Sequence, residues 1–172
     1  MTPELEEAIA VVYADRDRDD MAPTIAAFEA LRDAHPDEAR LVYEVAGAYD
    51  TAGEEATARP LYEEALERGL EGDVLRRCLL QYGSTLRNLG ELDASLAALD
   101  RADRSFPGSA SVAAFRALTL LESGRADAAV GVLLRLVADA APGDLDRYLA
   151  AARGNAEFLL DRDRRSAPIQ DA

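Results

Sequence analysis

Three short segments of this chain repeat one another at nearly regular intervals. Each ends in a glycine followed by a charged residue, and the segments are Tyr49–Glu54, Leu86–Glu91 and Leu120–Arg125. Their glycines, Gly53, Gly90 and Gly124, lie 37 and 34 residues apart. A period of about 34 residues is typical of a pair of antiparallel helices, and one pair cannot bury its apolar face alone. The period therefore predicts stacked helix pairs in an all-α solenoid.

The positions around each glycine carry the same residue classes in all three copies. Small residues lie seven positions before the glycine, at Ala46, Gly83 and Ala117. Small residues also follow it by five positions, at Ala58, Ser95 and Ala129. Large residues follow it by nine positions, at Tyr62, Leu99 and Leu133. Small residues let two helix axes approach closely and large ones fill the space beside them, so we expect these positions to be packed. The glycine permits the positive φ that ends a helix.

This pattern resembles the tetratricopeptide repeat family, whose signature is W-x2-L-G-x2-Y, then A-x3-F, then P. The second copy matches through Val45-Ala46-x2-Tyr49 and Ala58-x3-Tyr62, and the third through Tyr82-Gly83-x2-Leu86, Ser95-x3-Leu99 and Pro107. A blurred first copy is indicated by Thr24, Phe28, Leu31 and Pro36. In the fourth copy Arg116 takes an apolar position, so we expect its first helix to be shifted or partly open. The resemblance covers roughly residues 2–142 and implies a right-handed α-solenoid.

We predict a single domain over residues 1–161, made of about four helix–turn–helix repeats and a C-terminal capping helix. The repeats are predicted over residues 3–36, 38–71, 73–107 and 109–142, and the capping helix over 144–161. The capping helix has an apolar stripe at helical spacing, so we expect it to cover the exposed side of the fourth repeat. Residues 162–172 are predicted to form a flexible tail.

Negative charge is concentrated in the first half of the chain. The net charge is −14, with 20 acidic residues and 6 arginines in residues 1–75 and 13 of each in residues 76–172. An acidic chain repels phosphate backbones, so we expect no nucleic-acid partner. The acidic half is either a solvated surface or an attractor of a basic partner. Without a signal peptide or a long apolar run, we expect a cytoplasmic protein with no membrane partner. Arginine without any lysine, together with abundant alanine, favours a bacterial origin.

Residue types that perform catalysis or bind metals are sparse. His35 lies beside Pro36 at a predicted helix end, where interaction with the helix dipole explains it. Cys78 is followed by Leu79 and Leu80, which favours a buried small hydrophobe over a nucleophile. The carboxylates fall at turns and helix starts, where helix dipoles favour anions. We therefore expect no enzyme, no cofactor and no metal site.

In the resembled family, the first helices of successive repeats line a concave groove. The resemblance implies a peptide-binding groove lined by Tyr13, Arg40, Tyr43, Arg77, Gln81, Ser84, Arg87, Asn88, Phe115 and Leu118. We predict that the arginines hold a carboxylate and that the amides pair with a peptide backbone. Apolar residues at the far end would take an apolar side chain. Alternatively, the polar residues are merely solvated and the last helix covers the apolar ones.

Three functions remain open at this point. The first is a non-catalytic module that binds a peptide or helix of a partner protein in the concave groove. The second is a homodimer in which another copy fills the groove. The third, more remote, is an enzyme with a small-molecule site in the superhelix. The lysine-rich carboxylate clamp of chaperone-binding members is not expected, because the chain has no lysine.

Overall fold

A computed structural model of the protein describes residues 2–166, which form helices and turns with no strand among them. The α-helices are α1 (Pro3–Ala14), α2 (Ala22–Ala34), α3 (Ala39–Thr51), α4 (Glu55–Glu67), α5 (Gly72–Asn88), α6 (Leu92–Ser105), α7 (Ala110–Glu122), α8 (Ala126–Ala140), α9 (Pro142–Leu145) and α10 (Leu149–Ser166). The predicted all-α helical-repeat class is confirmed. The chain divides into two compact units, unit 1 up to Glu91 and unit 2 from Leu92 on. The single continuous domain stays a prediction.

The three repeated turns have one backbone geometry. Gly53, Gly90 and Gly124 adopt φ values of 78°, 79° and 74°. In each turn the residue after the glycine donates its backbone N–H to the carbonyl five positions earlier, over 2.9 Å in all three. This six-to-one bond satisfies a carbonyl that the helix end leaves open, and it needs a left-handed residue that glycine supplies without steric cost. The repeated hexapeptides are therefore three copies of the same helix stop.

The core of unit 1 is built from the repeat positions predicted from the sequence. One cluster joins α3, α4 and α5 through Ala46, Ala58, Tyr62 and Cys78, all fully buried. Small residues on α3 and α4 let the two helices approach, and the Tyr62 ring fills the space between them. A second cluster joins α1 and α2 to α3 through Ile9 and Phe28, among others. The blurred first copy is therefore a packed helix pair in the structure.

The fourth repeat packs differently from the earlier ones. Leu133, predicted to fill the core like Tyr62 and Leu99, is 42% exposed, and that prediction is wrong. Its neighbour Val132 is buried instead, in a cluster with Ala117, Leu120, Ala128 and Ala129. One residue turns a helix by about 100°, so burial of Val132 directs Leu133 to solvent.

The C-terminal region folds as a short turn and a long helix. The predicted single helix over 144–161 is instead α9, a 3₁₀ turn over Asp146–Tyr148, and α10. Asp146 has a φ of 46°, so the chain changes direction there in a conformation that non-glycine residues avoid. α10 packs on α8, where Ala156 and Leu160 approach Gly131.

Residues 162–166, predicted as part of a flexible tail, belong to the last turns of α10. Asp163 is buried and accepts two hydrogen bonds from Arg125, at 3.2 and 2.6 Å. A bidentate guanidinium–carboxylate pair is a strong and directional contact, which explains why the helix continues. The rest of the predicted tail, residues 167–172, lies outside the described residues.

Candidate functional site

Unit 1 carries a polar site where the last turn of α1 meets α3 and α5. We call Tyr13, Glu44, Gly47, Asp50, Gln81 and Thr85 the unit 1 polar site. A cavity of about 50 Å³ lies within it, and Tyr13, Glu44, Gly47 and Gln81 are among the residues that line this cavity. That volume has room for a water or a small polar group.

Glu44 is the most deeply buried charge of this site. Its side chain is 1% exposed, and it accepts hydrogen bonds from the Tyr13 hydroxyl and from the Arg40 guanidinium. Burial, reinforced by the charge of Glu44, raises the pKa of Tyr13 above its ordinary value, so the phenol stays a donor. A buried carboxylate needs such partners, because removing one of them leaves an uncompensated charge.

Asp50 lies one and a half turns further along α3. It accepts a hydrogen bond of 2.7 Å from the Thr85 hydroxyl on α5 and one of 3.3 Å from the Tyr62 hydroxyl on α4. Burial raises the pKa of Asp50, and its two hydrogen bonds oppose that shift. Asp50 therefore ties three helices together within the unit 1 polar site.

Gln81 is the member of the site with unused hydrogen-bonding capacity. Its Oε1 atom is buried and has no hydrogen-bond partner among residues 2–166. A Cβ atom added at Gly47 would lie 3.8 Å from this oxygen, in ordinary van der Waals contact, so the glycine leaves room for about one methyl group beside it. A buried acceptor without a partner costs about 1–3 kcal/mol. The site is therefore arranged to accept a hydrogen bond from a donor that the described chain does not supply.

The predicted groove arginines are engaged by acids or amides of their own chain. Arg40 donates to Glu44 and stacks over the Tyr43 ring at 5.7 Å, so the structure does not offer it to a carboxylate ligand. Arg77 pairs with Asp73 at 2.7 Å on the exposed start of α5. Arg87 donates to the Asn88 side chain at 3.3 Å.

The other predicted residues are divided between core and surface. Tyr43 is a core residue rather than a groove residue, because it turns toward α4 and packs 6.3 Å from the Tyr62 ring. Ser84 is half-buried, and Asn88 donates to Glu55 over 3.4 Å at the exposed end of α5. Phe115 is half-buried and Leu118 is exposed, both on α7 of unit 2. Of the predicted set, Tyr13 and Gln81 are therefore brought together in the cavity.

Glu44 and Thr85 were missed by the sequence prediction. Glu44 follows Arg40 by four positions, which is a recognisable ion-pair spacing on a helix, but the same spacing occurs on solvated faces. Thr85 donates its hydrogen bond to Asp50, which lies 35 residues earlier in the chain. The spacing of the repeat does not encode that contact, so the structure was needed to reveal it.

Between residues 2 and 166, no three His, Cys, Asp or Glu side chains are grouped so as to hold a metal ion. None of the helices described combines the length and the apolar character that crossing a bilayer requires.

Several solved structures are similar in fold to this chain. The chain is similar to a solved structure described as "Crystal structure of YrrB: a TPR protein with an unusual peptide-binding site", with 19% identity, a TM-score of 0.62, and coverage of 94% of this chain and 84% of that one. It is also similar to "MamA RS-1 ArsTM double mutant" (12% identity, TM-score 0.67, coverage 97% and 99%). A third similar structure is "MamA MSR-1 C2" (18% identity, TM-score 0.53, coverage of 95% of this chain and 90% of that one). At these identities the likeness shows the fold alone.

No curated protein matches the sequence significantly. The family model described as "Tetratrico peptide repeat" matches residues 39–159, which is more than half of the chain. That span begins with α3 and includes all three glycine turns described above. The chain belongs to the tetratricopeptide repeat family.

Proposed function

We propose that this protein is a non-catalytic interaction module that binds a segment of a partner protein at the unit 1 polar site. Tetratricopeptide repeat proteins are in general interaction scaffolds, and YrrB is described as having a peptide-binding site. The observation that carries the proposal is the buried, unpaired Oε1 of Gln81 beside the small cavity that Gly47 helps to line.

The chemistry of the site favours a ligand that donates hydrogen bonds. Gln81 offers an acceptor, and a peptide N–H or a basic side chain supplies the matching donor. Unit 1 has 21 acidic residues and 9 arginines, a difference of −12, so its field attracts cations. The arginines predicted to receive a carboxylate are already engaged within the chain. The partner segment is therefore basic or neutral where it enters the site, rather than acidic.

Two glycine substitutions test this proposal. A Cβ at Gly47 would meet its nearest atoms at 3.8 and 3.9 Å, an ordinary contact distance, so the Cβ of Gly47→Leu is accommodated and the rest of its side chain competes for the space beside Gln81. Gly154→Leu on α10 is the matched control, because nothing lies within 4 Å of a Cβ there. We expect the wild type and the control to capture the same proteins from lysate of the native cells. Gly47→Leu should fail to capture those proteins that bind specifically at the unit 1 polar site.

Quantitative mass spectrometry of the captured proteins measures the difference, and circular dichroism verifies that each variant is folded. If folded Gly47→Leu protein recovers the same partners in the same amounts as the control, binding at the unit 1 polar site is excluded. Gln81→Leu provides a second variant, since it removes the acceptor without closing the space.

Self-association is the second candidate function, and an exposed apolar stripe on α8 favours it. Val130, Leu133 and Val137 lie at helical spacing and each is more than one third exposed. Such a stripe is a typical contact for another helix. Light scattering across a concentration series decides this case: a dimer that Leu133→Glu dissociates supports self-association, and a wild type that remains monomeric contradicts it.

A further inference from the structure

Three positions that are filled by buried side chains in earlier repeats are not filled in the same way in the fourth repeat. Eight residues before the glycine turn, Val45 is fully buried, whereas the fourth repeat has Arg116. Arg116 donates to Asp100 on α6 at 2.5 Å. The positions filled by Leu99 and Ala102 in the third repeat are taken by the exposed Leu133 and the half-buried Leu136. The interface between α7 and α8 is therefore incomplete at one end.

A cleft of about 530 Å³ occupies this end of the α7–α8 interface. Its apolar surface comes from α7 and α8, through Ala110, Ala113, Val132 and Leu136. Pockets of about 300–1,000 Å³ with mostly apolar walls and a few polar groups are the usual size of binding sites. The cleft is thus large enough to receive a side chain together with part of its backbone.

The charged residues around the cleft indicate what kind of group fits there. Arg116 is engaged by Asp100, and Asp139 pairs with Arg153 at 3.2 Å. Two other lining residues, Asp103 on α6 and Arg135 on α8, make no ion pair within the part of the chain that the structure describes. The cleft therefore has an apolar floor with one free carboxylate and one free guanidinium at its edge.

We propose that this cleft is a second recognition site, which binds an apolar side chain of a partner segment flanked by one basic and one acidic residue. The apolar side chain enters between Ala113 and Leu136, the basic residue pairs with Asp103, and the acidic residue pairs with Arg135. This site lies wholly within unit 2 and does not depend on the unit 1 polar site. Its ligand also differs in charge, because unit 1 favours cationic segments whereas this cleft matches a segment of no net charge.

Capped tripeptides test the proposal directly on the full chain. The probes are Lys-Phe-Glu and Glu-Phe-Lys, with Gln-Phe-Gln and Lys-Ala-Glu as controls for charge and for the apolar group. Titrations followed by ¹H–¹⁵N correlation spectra should shift amides in residues 103–116 and 132–140. We expect Phe to Ala in the probe to weaken binding about tenfold or more. Loss of each probe charge should weaken it by about two- to fivefold.

Charge reversal at Arg135 is the sharpest variant, since this exposed residue is not needed for folding. A fifth probe, Lys-Phe-Lys, should bind the wild type less well than Lys-Phe-Glu. Arg135→Glu should reverse this preference, so that Lys-Phe-Lys binds better than Lys-Phe-Glu. Arg101→Glu, at an exposed arginine outside the cleft, is the matched control and should leave the preference unchanged. Ala113→Leu should abolish binding of every probe by filling the cleft.

Three results would each overturn the proposal. One is the absence of shifts at the cleft with any Phe-containing probe. Another is equal binding of Gln-Phe-Gln and the charged probes, or an unchanged preference in Arg135→Glu. The third is a wild-type dimer that Arg135→Glu dissociates, which would make the occupant a second copy of this chain.

Discussion

The contact between α8 and α10 gives a prediction whose sign depends on two opposing effects. Gly131 lies inside α8, where replacing glycine by alanine ordinarily stabilises a helix by about 1 kcal/mol. In this structure, however, a Cβ at Gly131 would lie 2.9 Å from Leu160 Cγ and 3.1 Å from the Ala156 carbonyl oxygen. The leucine can shift, but the carbonyl belongs to the backbone of α10. Overpacking of this kind costs about 1–3 kcal/mol.

Gly154→Ala is the reference variant, because it makes the same substitution at a position where the added Cβ touches no other helix. Gly154 lies inside α10 and has nothing within 4 Å of an added Cβ. We expect Gly154→Ala to raise the free energy of unfolding by about 1 kcal/mol, and Gly131→Ala to lower it by about 1 kcal/mol, the gain in propensity less the steric cost. The difference between the two variants, about 2 kcal/mol, corresponds to about 4–8 °C in melting temperature.

Urea unfolding followed by circular dichroism measures both variants beside the wild type. The slopes of the transitions should agree, since the substitutions change little of the surface exposed on unfolding. If Gly131→Ala proves as stable as Gly154→Ala, the close approach of α10 to α8 is refuted. A Gly131→Ala variant less stable than the wild type, with Gly154→Ala more stable, agrees with the described packing.

Three further substitutions test charge and strain. Glu44→Gln leaves the half-buried Arg40 without its counter-charge, so urea unfolding should show a loss of about 3 kcal/mol. Because burial raises the pKa of Asp50, the folded state binds a proton more readily than the unfolded state, and this group's contribution to stability falls as pH rises. Asp50→Asn, which keeps an acceptor for Thr85, should therefore exceed the wild type in stability at neutral pH, by a margin that shrinks as pH is lowered toward the ordinary aspartate pKa of 3.8. Asp146→Gly should relieve a φ of 46° and raise the free energy of unfolding by about 1 kcal/mol, measured by thermal melting.

The features of this fold that depend only on residues close together in the sequence could be predicted from it. The glycine turns are such a case, because a left-handed residue and a six-to-one hydrogen bond involve a few consecutive positions. Ala58 and Tyr62 were also assigned correctly to the core, since their spacing from Gly53 places them on one face of α4.

Details that depend on helix rotation could not be predicted. Leu133 was assigned to the wrong surface, because an error of one position rotates a side chain by about 100°. Tyr43 is buried because α3 is enclosed on nearly all sides from Leu41 through Ala46. The composition of the candidate site was harder still, since Tyr13, Glu44 and Gln81 come from three different helices. Arg40 was predicted to hold a carboxylate of a ligand in the groove, whereas in the structure it donates to Glu44 of its own helix.

The interface between α8 and α10 also determines where the series of repeats can end. A further helix pair added after α8 would compete with α10 for the flank around Gly131, and the bond between Asp163 and Arg125 would have to open first. Duplication of the last repeat would therefore be accommodated only if α10 followed the added repeat and packed against it instead of against α8.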